Sequence, residues 1–147
     1  MLKLKKRSET LQLGFSIPLH IYPCEVLFSF RQDDEELARM LKDKGAPQKA
    51  IDEELAKMGE YTGARYVFYK NGIGLIRMRQ VPTTPVHISY LSHEIFHIVA
   101  NIMDYIGMPL ETTKSEEGYA YLVSYLTEEV FKLLEPHYET IKTPKKK

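Results

Sequence analysis

The sequence lacks any apolar run close to the roughly 20 residues that a helix needs to cross a bilayer. The short start at residues 2–4 is interrupted by Lys5, Lys6 and Arg7, so it is too short for a signal sequence. There is only one cysteine, Cys24, which excludes an intrachain disulfide and favours a buried thiol in a reducing compartment. These absences predict a soluble, cytoplasmic protein without membrane contact.

The chain also lacks net charge, because 20 basic and 20 acidic residues balance. Their distribution is uneven: residues 1–7 and residues 142–147 are basic and contain no acid, so the body between them is acidic. Such tails typically keep chain ends solvated. Phosphate binding needs clustered lysine and arginine on the folded surface, so we expect no nucleic-acid partner.

Glycine and proline, eight of each, follow no period, which excludes a collagenous or low-complexity chain. A length of 147 residues with 44% apolar residues is sufficient for one continuous core. No repeat or linker interrupts the sequence. We therefore predict a single domain over residues 1–147 with short basic tails.

Local patterns predict a mixture of strands and helices. Asn71-Gly72 is typical of a hairpin turn, and Thr84 followed by Pro85 is typical of a helix start. In chain order, the predicted elements are a strand at 19–30, helices at 33–44 and 47–58, strands at 64–69 and 73–79, and helices at 85–106 and 115–135. The sequence therefore predicts an α+β fold.

The helix at 85–106 contains the spacing His-Glu-x-x-His at His93, Glu94 and His97. On a helix this spacing places both imidazoles on one face, one turn apart, as a pair of metal ligands requires. The two histidines could simply belong to the wet face of an amphipathic helix. That alternative leaves unexplained why Glu94 occupies the position of a catalytic base. The opposite face is an apolar stripe that we expect in the core, formed by Ile88, Leu91, Ile95, Ile98, Val99 and Ile102.

A catalytic zinc site needs a third protein ligand and leaves a fourth position open for water. Asp104 does not suit this role, because the metzincin-like extension requires glycine where Ala100 stands. Glu116 and Glu117 open the last predicted helix. Glu117 lies opposite the apolar stripe of that helix and Glu116 at its edge, so we prefer Glu117 and keep Glu116 as the alternative. The helix macrodipole accounts for an acidic residue such as Glu116 in a first turn.

This arrangement of a hairpin, a His-Glu-x-x-His helix and a downstream glutamate resembles the gluzincin group of zinc metallopeptidases. In that group the third ligand commonly stands in Glu-x-x-Ala/Ser followed by Asp or Asn. Here Glu117-Gly118-Tyr119-Ala120 matches and Tyr121 departs from the pattern. The compact size is similar to small intracellular metallopeptidase-like proteins of bacteria and their mobile elements. The resemblance covers residues 64–135 and implies a small zincin-like domain with a short antiparallel sheet. Because the apolar stripe of the helix at 85–106 packs into the core, we also expect its metal face to line a cleft against the helix of Glu117.

The resemblance implies a zinc ion held by His93, His97 and Glu117. Such an ion lowers the pKa of a bound water and polarises a carbonyl, and Glu94 would take the proton. We expect a zinc-dependent hydrolase, specifically a peptidase, whose peptide or protein substrate aligns beside an exposed strand, most simply 73–79. The alternative is a non-catalytic binding or regulatory module of the same fold. Candidates for stabilising the oxyanion, among which the sequence does not choose, are His87, Tyr90, Tyr121, Tyr125, His137 and Tyr138.

Overall fold

A computed structural model describes residues 1–57 and 63–140. Within those ranges the fold is α+β, as predicted: a four-stranded sheet with helices on both faces. The predicted helix end at residue 58 and the second basic tail lie outside the described residues. The strands are β1 (Leu13–Leu19), β2 (Cys24–Phe30), β3 (Ala64–Phe68) and β4 (Ile73–Met78), and the helices are α1 (Asp34–Asp43), α2 (Gln48–Ala56), α3 (Pro85–Tyr105) and α4 (Glu116–Leu134).

The sheet has the strand order β1-β2-β4-β3 and is mixed rather than purely antiparallel. β1 pairs antiparallel with β2, and β3 pairs antiparallel with β4, whereas β2 and β4 run parallel at the centre. Parallel neighbours need a long crossover, and here the crossover contains α1, α2 and β3. A central strand covered on both faces is apolar along its length. This explains the unbroken apolar run from Val26 to Phe28.

The prediction of one strand over 19–30 is wrong in its extent. The chain turns at residues 20–23, so that Leu19 ends β1 and Cys24 begins β2. Pro23 has no N–H for a strand ladder, and the neighbouring Cys24 N–H bonds to the Tyr22 carbonyl at 2.7 Å. β1 itself contains Pro18, which an edge strand tolerates.

The hairpin predicted at 64–69 and 73–79 is confirmed as β3 and β4. Its turn is closed by hydrogen bonds from Tyr69 N–H to the Ile73 carbonyl and from Gly72 N–H to the Tyr69 carbonyl. Gly72 has a positive φ of 84°, and a Cβ at this position would lie 2.6 Å from the carbonyl oxygen of Pro23. A glycine is therefore required on both conformational and steric grounds.

Two apolar layers flank the sheet. α1 and α2 cover one face through Leu37, Leu41 and Ile51, which cluster with Leu27 and Leu75. α3 and α4 cover the other face. As predicted, the α3 stripe contributes to this second layer, and its buried members there are Leu91, Ile95, Ile98, Val99 and Ile102. Ile88, at the start of the stripe, is only half-buried.

Residues 4 and 5 pair with residues 137 and 138 beside the second layer. Leu4 forms a β-bridge with Tyr138, and the Lys5 N–H bonds to the His137 carbonyl at 2.8 Å. The Tyr138 hydroxyl donates to the Pro82 carbonyl at 2.6 Å. The first basic tail thus has a paired backbone and exposed cationic side chains. Cys24 is buried, as predicted, and no helix in the described ranges is long and apolar enough to cross a membrane.

Candidate metal centre

Residues at its two ends determine where α3 begins and ends. The Thr84 side chain accepts a hydrogen bond from the His87 N–H at 3.2 Å, and Pro85 occupies the first turn, where its missing N–H costs nothing. Gly107 adopts a positive φ of 78° just beyond the helix end. These signals place residues 93–97 in the middle of a regular helix.

His93 and His97 converge on α3. Their Nε2 atoms lie 3.0 Å apart, and their ring planes meet at 74°. Two nitrogen ligands of a tetrahedral zinc ion are separated by about 3.3 Å, given zinc–nitrogen bonds of about 2.0–2.1 Å. The spacing observed here is close to that value. The pair therefore fits two positions of a zinc shell.

The His97 ring also contacts β3. Its plane stacks on the ring of Tyr66 with centroids 4.7 Å apart and an angle of 12° between the planes. The Asn101 side chain donates to the His97 carbonyl at 2.8 Å, which ties the backbone of this turn to the next. Sequence reasoning missed Tyr66. The one sequence signal for Tyr66 is the period of two along the predicted strand, which places it on the same face as Ala64 and Phe68.

Glu94 follows His93 directly and is largely buried, with 9% of its surface exposed. Burial raises the pKa of its carboxyl, and the charges of His93, His97 and Arg65 oppose that rise. A raised pKa moves a carboxylate toward the range in which it can accept and release a proton near neutral pH. Sequence reasoning placed Glu94 beside the histidines but did not predict its burial.

Glu116 and Glu117 are both exposed in the first turn of α4. In the described part of the chain no three histidine, cysteine, aspartate or glutamate residues form a group able to hold a metal ion, so Glu117 is not gathered with the two histidines. α4 approaches α3 near Gly118, where a Cβ would lie 3.1 Å from Met103 Cε. Ligation by Glu117, and the expected cleft between the histidines and α4, stay predictions.

The prediction that 73–79 is the exposed strand beside the site is wrong. β4 pairs on both sides, with β2 and with β3. Arg77 is 2% exposed and donates from Nη1 to the Glu54 backbone carbonyl at 2.8 Å and to Glu54 Oε1 at 3.0 Å. Its charge is therefore buried and does not lie on an exposed strand edge. Of the described strands, β3 is the edge strand that contacts His97, through Tyr66.

The structure also separates the six oxyanion candidates. The His137 ring lies 3.0 Å from the Ser8 hydroxyl, and the Tyr138 hydroxyl bonds to the Pro82 carbonyl, so both residues belong to the segment that pairs with residues 4 and 5. Tyr121 and Tyr125 line a groove with the turn between β1 and β2, and His87 faces Thr83 at the start of α3. Tyr90 precedes His93 by three residues, which places it on the same face of α3.

Comparison with known proteins identifies no relative. No family model matches the chain, and neither a curated protein nor a solved structure does. The class that the fold defines is a small α+β domain with a His-Glu-x-x-His helix packed on a mixed sheet. Any functional conclusion therefore depends on the geometry of this helix and its neighbours.

Proposed function

We propose that this protein is a zinc-dependent hydrolase that cleaves peptide bonds. The observation that carries the proposal is the 3.0 Å separation of His93 Nε2 and His97 Nε2, with the buried carboxyl of Glu94 on the same turn of α3. Two convergent imidazoles are typical nitrogen donors of a catalytic zinc site, and a buried carboxyl beside them can act as the base. A structural zinc site more often uses cysteines.

His93 and His97 would hold the ion through their Nε2 atoms. Glu117 is the proposed third ligand and Glu116 the alternative; either must come closer to the histidines than in the described structure. When bound, zinc supplies positive charge that polarises a substrate carbonyl and favours ionisation of water.

Glu94 is the proposed general base. Its carboxylate would accept a proton from the attacking water and then deliver it to the departing amine. The burial that raises its pKa also lowers the cost of holding that proton between the two steps. Arg65 limits this effect, because its guanidinium charge favours the ionised carboxylate.

β3 replaces 73–79 as the proposed place for the substrate. An extended peptide can add to an exposed strand edge and gain main-chain hydrogen bonds without a defined sequence. Tyr66 joins β3 to His97 by direct ring stacking, so a peptide on this edge would run beside the histidines. This placement favours extended or unfolded polypeptide as the substrate class.

The test compares zinc-loaded wild type with Glu94→Gln on an unstructured protein substrate. We expect activity to fall by about 100-fold or more, because the amide cannot accept the proton. Zinc content should be unchanged, because Glu94 is not a ligand. Glu53→Gln, which alters an exposed glutamate of α2, is the matched control and should behave as wild type. A partner-binding activity that survives Glu94→Gln, in a protein that cleaves no member of a peptide library, would instead support the binding-module alternative.

A further inference from the structure

We propose that Tyr66 is a positioning residue for the metal site, whose ring holds the His97 imidazole in the orientation that presents Nε2 to His93. The inference rests on the proposed metal-binding role of His97. It adds a residue from β3 to a site that otherwise consists of side chains from α3 and a glutamate from α4.

The ring geometry is the first argument. The Tyr66 and His97 planes are nearly parallel, 12° apart, at a centroid distance of 4.7 Å, which is an offset stack. The second torsion of a histidine side chain has a broad, roughly two-fold preference. A free imidazole on a helix surface therefore loses rotational freedom when it binds a metal, and a ring already held flat against a neighbour loses less.

The protein contacts of the His97 ring within the described residues are the second argument. A metal-binding histidine usually donates from its other ring nitrogen to a carboxylate, a backbone carbonyl or water. Among the described residues, no hydrogen bond reaches Nδ1 of His97; the contact of its imidazole with His93 is through Nε2. Within α3 the ring contacts His93 and, at a centroid distance of 6.5 Å, Phe96. Stacking on Tyr66 is the ring contact from another element that can set the orientation of this imidazole. The negative face of the phenol ring also attracts an imidazole that shares the charge of a cation.

The rigidity of β3 is the third argument. The Tyr66 backbone pairs with Ile76 of β4. On the opposite face of the strand, Arg65 donates from Nε and Nη2 to the two carboxylate oxygens of Glu54, at 2.9 and 2.8 Å. The bonds between Arg65 and Glu54 therefore fix β3 from the face opposite to Tyr66, although β3 lies at a sheet edge. A positioning residue must itself have a fixed place.

The experiment measures zinc affinity by competition with a chromophoric chelator for the wild type, Tyr66→Leu and Tyr66→Phe. Tyr66→Leu removes the ring, and we expect affinity to fall by about 10-fold, the lower end of the range for residues that orient a ligand. Tyr66→Phe keeps the ring and should stay within about twofold of wild type. The visible spectrum of the cobalt-substituted protein should change in Tyr66→Leu and be preserved in Tyr66→Phe.

Phe68→Leu is the matched control, because Phe68 lies two residues along the same face of β3 and packs on Tyr105 rather than on a histidine. It should lower stability about as much as Tyr66→Leu and leave zinc affinity unchanged. Equal affinities for the two leucine variants would overturn the role of Tyr66, and so would a 10-fold loss in Tyr66→Phe. Undiminished zinc binding by His97→Ala would instead overturn the metal site itself.

Discussion

Glu54 of α2 and Arg65 of β3 form a bidentate ion pair with nitrogen–oxygen distances of 2.9 and 2.8 Å. Glu54 is 3% exposed, and it also receives hydrogen bonds from Arg77 of β4. One carboxylate on α2 thereby links two neighbouring strands from the face opposite to α3. β3, which carries Tyr66, is therefore stabilised by a contact on the sheet face opposite to His97.

Glu54→Ala should lower the free energy of unfolding by about 3–5 kcal/mol, because it removes a buried carboxylate that pairs with the guanidinium groups of Arg65 and Arg77. Denaturant unfolding followed by circular dichroism would measure the change. Glu53→Ala, one residue earlier on α2 and exposed, is the control and should stay within about 0.5 kcal/mol of wild type. A loss below about 1 kcal/mol for Glu54→Ala would contradict the proposed linkage.

Glu117→Gln should weaken zinc binding and Glu116→Gln should not, if Glu117 is the third ligand. The expected loss for Glu117→Gln is on the order of 10- to 100-fold, since a neutral amide is a poorer zinc donor than a carboxylate. Equilibrium dialysis with metal analysis would measure it. His93→Ala provides the reference for loss of a ligand, and His20→Ala, in the exposed turn between β1 and β2, the unaffected control. If Glu116→Gln weakened zinc binding and Glu117→Gln did not, the third ligand would be Glu116.

Ile95→Ala should destabilise the fold by about 2–5 kcal/mol, because Ile95 is fully buried between α3 and its neighbours and the substitution leaves a cavity. Thermal and denaturant unfolding both report this loss. Phe96→Ala, the next residue, removes a larger side chain that is 47% exposed and should cost less. If Phe96→Ala were the more damaging substitution, Phe96 rather than Ile95 would face the core, and α3 would have a different orientation.

The Cys24 thiol should react slowly in the folded protein. Burial raises its pKa, so at pH 8 a smaller fraction is thiolate, the reactive form, than in the unfolded chain. We expect a rate with a disulfide reagent at least about 10-fold below that in denaturant. The same shift implies that stability decreases as pH rises past the ordinary pKa of a thiol, because the unfolded chain then releases a proton that the folded chain keeps. Equal rates in buffer and denaturant would refute the burial of Cys24.

The features predictable from the sequence are those set by near neighbours in the chain. Thr84 and Pro85 predict the start of α3, Gly72 the hairpin turn, and the spacing of His93 and His97 their convergence. These signals depend on residues within one or two turns of each other, so they can be interpreted from the sequence without knowing the fold.

The features that could not be predicted depend on contacts between distant segments. Strand order decides that β3, and not β4, lies at the sheet edge, and nothing local to either strand encodes that order. The burial of Glu54 and the contact of Tyr66 with His97 follow from the same order. The position of Glu117 relative to the histidines is a question of how α4 docks on α3, which a helical projection of either helix alone does not address.

The parallel pairing of β2 with β4 has a consequence for folding during synthesis. β1 immediately precedes β2 in the chain and can pair with it at once. The other side of β2 has no partner until β4 emerges, after α1, α2 and β3. Closing so long a loop is slow. Meanwhile the apolar face of Val26, Phe28 and Phe30 lacks the helix α3 that later covers it. A nascent chain that stalls before residue 73 should therefore present a bare, apolar strand edge, and it is at this stage of synthesis that the protein is most exposed to aggregation and to capture by chaperones.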